Sequence, residues 1–286
     1  MRHAYLIAAH NQIGLLVELL KKLDDEKNDI YLHIDIKCKD VDFLILKKSI
    51  QKSKIYFIER RSITWGDYTQ IQLEIDLLKE AISRDYDYYH YISGVDFPIK
   101  GIKEIDDFFK DHKGKEFIHF DRSVDMSMIE YRIGRYHIFQ KYLGRKRGLL
   151  DRIEKCMLVI QKVLHINRIK NEKIDFKKGA NWFSITNDLA HYVVNCEKQI
   201  KKMYSYSYCA DEIFLQTIAY NSNFRNSLYY SEKQGRYFNM RLIDWERGDP
   251  YIYKQEDYDL LLKSECLFAR KFSEKESKEL IKLLQN

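Results

Sequence analysis

Apolar residues along this 286-residue chain fall into short continuous runs, separated by longer stretches with helical spacing. Ala4-Tyr-Leu-Ile-Ala-Ala9 is the first run. It ends at His10-Asn11 and gives way to Ile13, Leu15, Leu16, Leu19, Leu20 and Leu23, the apolar face of a helix. Ile30-Tyr-Leu-His-Ile34, stopped by Asp35-Ile-Lys37, predicts a second strand, and Ile55-Tyr-Phe-Ile58 a third, after an irregular helix. A polar loop from Glu59 to Asp67 carries Trp65-Gly66 into a helix over 69–83, and the run 88–92 predicts a fourth strand. Apolar strands alternating with helices predict a parallel sheet buried on both faces and joined by right-handed crossovers.

The fourth run, Tyr88-Tyr-His-Tyr-Ile92, breaks abruptly into Ser93-Gly94 and Asp96-Phe-Pro98. Ligands of open α/β sheets sit at the carboxyl ends of strands. The pattern therefore predicts a sharp turn at Gly94, an exit stiffened by Pro98, and Ser93 and Asp96 displayed over a crevice.

Beyond Lys100 the alternation loosens. A short amphipathic helix around Ile105, Phe108 and Phe109 leads to a strand over 116–120. The segment 141–178 has helical spacing (Leu149, Leu150, Ile153, Met157, Leu158, Ile160, Val163, Leu164) and reads as an insertion. Residues 179–186 return to a strand, with Asn187-Asp188 as the expected cap of a helix over 188–202. A helix opening at Tyr208-Cys-Ala-Asp-Glu212 follows, then a tyrosine-rich strand at 228–230. The segment Met240 to Trp245, a turn at Gly248-Asp-Pro250, a helix from Glu256 and a polar terminal helix complete the chain.

Charge changes this picture in one place. The formal net charge is +6, but residues 141–178 hold 12 Lys/Arg against 4 Asp/Glu, a balance of +8, which leaves −2 for the rest. Either the apolar residues Leu149, Leu150, Ile153, Leu158 and Val163 pack on the sheet beneath solvated cations, or the segment meets an anionic membrane. Five scattered cysteines without a C-x-x-C pair argue for a reducing, cytoplasmic setting, against a disulfide framework or a zinc site. The apolar core of the first ten residues is too short for a signal peptide, and no segment reaches the roughly 18 apolar residues of a spanning helix. The expectation is a soluble protein, cytoplasmic or peripheral on the inner membrane face, with no nucleic-acid partner. Abundant Lys, Ile, Tyr and Asn fit a bacterial source.

Several chemistries fall away for lack of their motifs. Neither G-x-G-x-x-G nor G-x-x-x-x-G-K-[ST] occurs, nor a G-x-S-x-G elbow, nor H-E-x-x-H. Asp85-Tyr-Asp87 and Asp257-Tyr-Asp259 have the D-x-D form that could hold a divalent metal on a diphosphate. The first precedes its strand, at the wrong end of the sheet, and the second falls where a helix begins, as ordinary N-terminal acids do. No metal site is expected. A diphosphate then needs cations, and Arg270-Lys271, anchored between Phe268 and Phe272, suits that task, although an adjacent pair in a chain with 49 cations is more often plain surface. Glu212 is the leading acid/base candidate. A carboxylate in a helix's first turn is usually a dipole or capping residue, but Trp182 and Trp245 lie in the same half of the chain and could form sugar platforms.

Taken in order, Trp65-Gly66, Ser93-Gly-Val-Asp-Phe-Pro-Ile-Lys100, Gly179-Ala-Asn-Trp-Phe183, Asp211-Glu212, Arg241-Leu-Ile-Asp-Trp245 and Leu267-Phe-Ala-Arg-Lys-Phe272 resemble the core-2/I-branching β-1,6-N-acetylglucosaminyltransferase and peptide O-xylosyltransferase family. The likeness runs from Ala4 to Phe272. It implies a single GT-A domain over 1–286: an α/β fold with a mostly parallel central sheet flanked by helices. Residues 1–120 would be the nucleotide-sugar half, 141–178 the basic helical insertion, and 179–286 the acceptor and catalytic half. It implies inverting transfer from a UDP-sugar without a metal, with Glu212 as catalytic base. Asp35, Trp65, Ser93, Asp96, Arg270 and Lys271 would lie by the donor, and Trp182, Trp245 and Asp211 by the acceptor. The disulfide-bonded lumenal form and amino-terminal anchor of the branching enzymes have no counterpart here, nor does the arginine they place before the basic motif. Phosphate gripping by Arg270 and Lys271 alone is closer to the xylosyltransferases. The expected activity is transfer of N-acetylglucosamine to a glycan, lipid-linked or surface polysaccharide. UDP-xylose, UDP-glucose or UDP-galactose are the alternative donors, and a non-catalytic carbohydrate-binding protein is the rival reading.

Overall fold

The four apolar runs become β1 (His3–Ala9), β2 (Asn28–Ile34), β3 (Lys54–Phe57) and β4 (Tyr88–Ser93) in a computed structural model that describes residues 1–39 and 41–285. After them come β5 (Asp96–Pro98), β6 (Phe117–Ile118) and β7 (Phe183–Thr186). The main sheet has the order β3-β2-β1-β4-β7-β6. Its first four strands are parallel, as expected. β7 runs antiparallel between β4 and β6, so the sheet is mostly parallel and closes on an antiparallel edge. This is the expected GT-A-type α/β architecture.

Alternation along β1 explains why its run is unbroken. Tyr5, Ile7 and Ala9 join a core with the helix Ile13–Leu23, while Ala4 and Leu6 join another with the helix Thr69–Ala81, so both faces are covered. Register then fixes where the strands stop. Ala9 lies opposite Ile34, and Ala8 opposite Ser93, which brings the carboxyl ends of β1, β2 and β4 to one edge.

After β7 the chain forms the small hairpin β8 (Tyr230–Ser231) and β9 (Arg236–Tyr237), then β10 (Arg241–Ile243) and β11 (Phe268–Arg270). β11 pairs parallel with β10 and antiparallel with β5, which sets Arg270 opposite Asp96. The buried Arg241 binds this second sheet to the first. It donates to the Phe183 carbonyl at 2.8 Å and to Ser184 Oγ at 2.9 Å.

Several predicted elements are shorter or broken. The strand over 116–120 reduces to β6, with Glu116 bridging to Leu228. The helix over 188–202 is two helices, Asn187–Asn195 and Glu197–Tyr204. Its cap is Thr186, which accepts from the Leu189 amide, while Asn187 Oδ1 accepts from the Tyr89 hydroxyl at 2.8 Å. The turn expected at Gly94 forms over Gly94-Val95, between β4 and β5. A Cβ on Gly94 would come 3.0 Å from the Ala9 Cβ, so any side chain at this position would crowd β1.

The basic insertion contains the helix Leu149–Val163, and its orientation departs from simple amphipathic packing. Among the five apolar residues expected on the core, Leu158 is buried and Leu150 half-buried, whereas Leu149, Ile153 and Val163 are exposed. Asp151, Glu154 and Gln161 are buried in their place. No helix among the described residues is long and apolar enough to cross a membrane.

Candidate active site

The common strand edge gathers the donor-side candidates. Asp35, just past β2, is buried and accepts from the Lys37 amide at 2.8 Å and the Ile63 amide at 3.0 Å, which ties the loop before Trp65 to this edge. Ser93 and Asp96 form a tight unit: the Ser93 amide donates to Asp96 Oδ2 at 2.7 Å, and its hydroxyl to Oδ1 at 2.9 Å. Arg270 Nη1 reaches the same Oδ1 at 2.8 Å. Arg270 is therefore already paired. Lys271 makes no ion pair among the described residues, and its backbone is pinned between the Tyr251 carbonyl and the Tyr253 amide. His10 lies in the field of Asp35, Arg270, Lys37 and Lys271, and partial desolvation lowers its pKa.

The acid pair lies on the short turn Ala210–Glu212, ahead of the helix Phe214–Tyr220. Asp211 turns inward and accepts from Gln70 Nε2 at 3.0 Å and Asn181 Nδ2 at 3.2 Å. Burial, and then the neighbouring Glu212, push its carboxyl up to about 7. Glu212 is half-exposed. Arg132 Nη1 donates to its Oε2 at 2.6 Å, and Lys178 Nζ stands 3.6 Å from that atom. Among the described residues Oε1 has no hydrogen-bond partner and is open to a hydroxyl.

The segment 179–183 connects the two sides. The Gly179 amide donates to the Glu212 carbonyl at 2.9 Å, and Asn181 holds Asp211. Trp182 stacks on Tyr91 with centroids 5.3 Å apart, and the Arg270 guanidinium lies 4.8 Å from its ring. A Cβ on Gly179 would come within 1.8 Å of the His119 carbonyl oxygen, so only glycine lets this segment run so close to its neighbour.

Trp65 packs edge-on against Tyr208, and the Gly66 carbonyl accepts from the Cys209 amide at 2.8 Å, so this loop flanks the acid pair. Trp245 stands apart. It is 62% exposed beyond β10 and has no aromatic partner among the described residues. Asp257 is engaged with Arg247 at 2.8 Å, and Asp87 accepts from the Arg2 amide at 2.7 Å, so both D-x-D segments have structural work away from the cleft.

Arg132, Lys178, Gln70 and His10 went unassigned in the sequence because each is brought in by tertiary contact. Arg132 sits on the π-helical turn Glu130–Gly134, an irregularity frequent at functional sites but visible only in the structure.

Asp211 carries a pH prediction. Its folded pKa, about 7, exceeds the unfolded value of about 3.9, so the stability supplied by its proton is complete below about pH 4. It is lost as pH rises through 7. Asp211→Asn keeps an acceptor for Gln70 and Asn181, so between pH 6 and 8 its melting temperature should fall less than that of the native chain. Parallel melting curves over that range would contradict the assignment.

Comparison with known proteins gives this geometry a family. A model of the Core-2/I-branching enzyme family matches residues 3–262. Xylosyltransferase 2 of Canis lupus familiaris is 22% identical over 308 residues, covering 99% of this chain and 33% of that protein. The Ciona intestinalis xylosyltransferase is 24% identical over 302 residues, covering 98% and 33%. The chain thus spans about a third of the length of the curated relatives it matches. The crystal structure of apo mouse xyloside xylosyltransferase 1 overlaps 93% of this chain and 96% of that one at 9% identity, with a TM-score of 0.37, too loose to match individual residues. The family match extends from β1 to the helix Tyr258–Lys263, and by it the chain belongs to the Core-2/I-branching enzyme family of glycosyltransferases.

Proposed function

We propose that this chain is an inverting, metal-independent glycosyltransferase that moves a sugar from a UDP-sugar to a glycan hydroxyl. The observation that carries the proposal is the 179–183 segment, which holds the Glu212 backbone, the buried Asp211 and, through Trp182, the Arg270 guanidinium in one framework, while Arg132 and Lys178 orient the Glu212 carboxylate. In this reading Glu212 Oε1 takes the acceptor hydroxyl proton as that oxygen attacks the anomeric carbon. UDP leaves from the opposite face, and Lys271, with Arg270, meets the charge growing on its diphosphate. Trp182 and Trp65 line the sugar side, and Asp35 lies toward the uridine. The acceptor is a lipid-linked or surface glycan. The five free cysteines fit a reducing setting.

UDP-N-acetylglucosamine is the donor expected from the branching enzymes. The names of the matched relatives favour UDP-xylose as a second reading. Calorimetric titration with UDP and uridine, with and without EDTA, followed by donor hydrolysis across a UDP-sugar panel, tests the proposal. UDP binding that resists EDTA, together with release of sugar from one donor, is expected. Loss of binding in EDTA removes metal independence, and binding without turnover leaves a carbohydrate-binding protein.

Lys271→Ala separates the phosphate role from the base. UDP affinity should fall about tenfold or more, as for loss of a charge-assisted contact, while uridine affinity holds. An equal loss for both ligands would place Lys271 away from the diphosphate.

A further inference from the structure

The helix Leu149–Val163 presents the opposite of a normal surface helix. Its inward face is Asp151, Glu154, Leu158 and Gln161, spaced three, four and three residues apart. Gln161 accepts from the Tyr136 amide at 2.8 Å and donates to the Tyr136 carbonyl at 3.0 Å, and Glu154 accepts from the Phe139 amide at 3.2 Å. These bonds set the helix's rotation. They leave Leu149, Ile153, Ile160, Val163 and Leu164 outward, at 76%, 42%, 56%, 69% and 64% exposure.

The charges around that stripe share one sign. Arg145, Lys146, Arg152 and Lys162 are exposed, while Asp151 and Glu154, the two acids between residues 141 and 166, are both on the buried side. A cationic, apolar surface without exposed acids complements an anionic lipid bilayer, where apolar side chains enter the acyl boundary and cations meet headgroups. The segment also reaches the active site: the Thr64 hydroxyl donates to the Lys141 carbonyl at 3.0 Å, Gln140 Nε2 donates to the Trp65 carbonyl at 2.8 Å, and the Arg145 guanidinium lies 4.6 Å from the Trp65 ring.

We infer that the outward face of the helix Leu149–Val163 docks on an anionic membrane surface, lying flat in the headgroup layer, and holds the Trp65 loop beside it. The inference rests on surface chemistry and stands whether or not the chain transfers sugar. A lipid-linked acceptor would gain from it, because the search for the site becomes two-dimensional.

Co-sedimentation of the whole chain with vesicles tests it, using phosphatidylcholine alone and phosphatidylcholine mixed with phosphatidylglycerol. Binding to the mixed vesicles is expected, with little to the neutral ones, and it should weaken in about 1 M salt, where the Debye length falls to about 3 Å. The double variant Ile153→Asn with Ile160→Asn should lose at least tenfold in binding. The triple variant Lys146→Gln, Arg152→Gln, Lys162→Gln should lose on the order of 100-fold, about fivefold per cation. All five positions are exposed, and unchanged circular dichroism confirms folding. Equal binding to both vesicle types, binding to neither, or anionic binding unaltered in both variants overturns the inference. So does a dimer of the free protein that dissociates in the double isoleucine variant while vesicles fail to bind.

Discussion

Glu212→Gln should lower turnover about 10²-fold or more while UDP affinity stays near that of the native chain. The amide retains an oxygen for Arg132 and Lys178, so the carboxylate's position is preserved while its capacity to take a proton is removed. UDP affinity should hold because, in the proposed arrangement, Arg270 and Lys271 rather than Glu212 meet the diphosphate. Initial rates on the donor identified in the panel, alongside UDP titration of the same preparation, separate the two effects. If turnover survives, the base is another group, and Asp211, buried with a carboxyl near 7, is the next candidate.

Arg270→Ala should damage both stability and donor binding. Asp96 is 2% exposed, and removing its cation leaves a buried carboxylate with only the Ser93 amide and hydroxyl as donors. Breaking a buried pair by removing one partner costs about 3–5 kcal/mol. The surviving Ser93 donors and the partial exposure of Arg270 favour the lower end. The guanidinium over Trp182 is lost as well, so UDP affinity should fall further than in Lys271→Ala. Thermal melts with and without UDP resolve the two losses: a lower melting temperature in the absence of ligand reports the Asp96 pair, and a smaller UDP-induced rise reports the phosphate contact. An unchanged melting temperature would mean that the Arg270–Asp96 pair contributes nothing to the fold.

The central parallel strands β1, β2 and β4 were legible because each is buried on both faces and therefore continuous in sequence, as Ala4–Ala9 and Ile30–Ile34 show, whereas β3, at the sheet edge, is only half-buried. The Ser93–Asp96 loop and the Arg270-Lys271 pair were legible as local clusters, and the register of β11 on β5 joins them. The antiparallel sense of β7 was not legible, since a four-residue strand carries no mark of direction. Partners of Glu212 were hidden for a related reason: Arg132 is 80 residues distant and is placed by a turn with no hydrophobic period. In the helix Leu149–Val163 the spacing correctly predicted an amphipathic helix but could not say which face turns inward. Hydrogen bonds from the Tyr136 and Phe139 amides to Gln161 and Glu154 decide that, and such bonds leave no hydropathy signal.

Trp182 has an optical consequence. Its indole stacks on Tyr91 and is capped by the Arg270 guanidinium, whereas Trp65 is 37% exposed and Trp245 62% exposed. With three tryptophans in the chain, the blue-shifted part of the intrinsic emission belongs mainly to Trp182. Any ligand that draws Arg270 away from the ring changes the charge beside the fluorophore. If Arg270 meets the diphosphate as proposed, the protein carries its own reporter of occupancy there, readable without a label or a coupled assay.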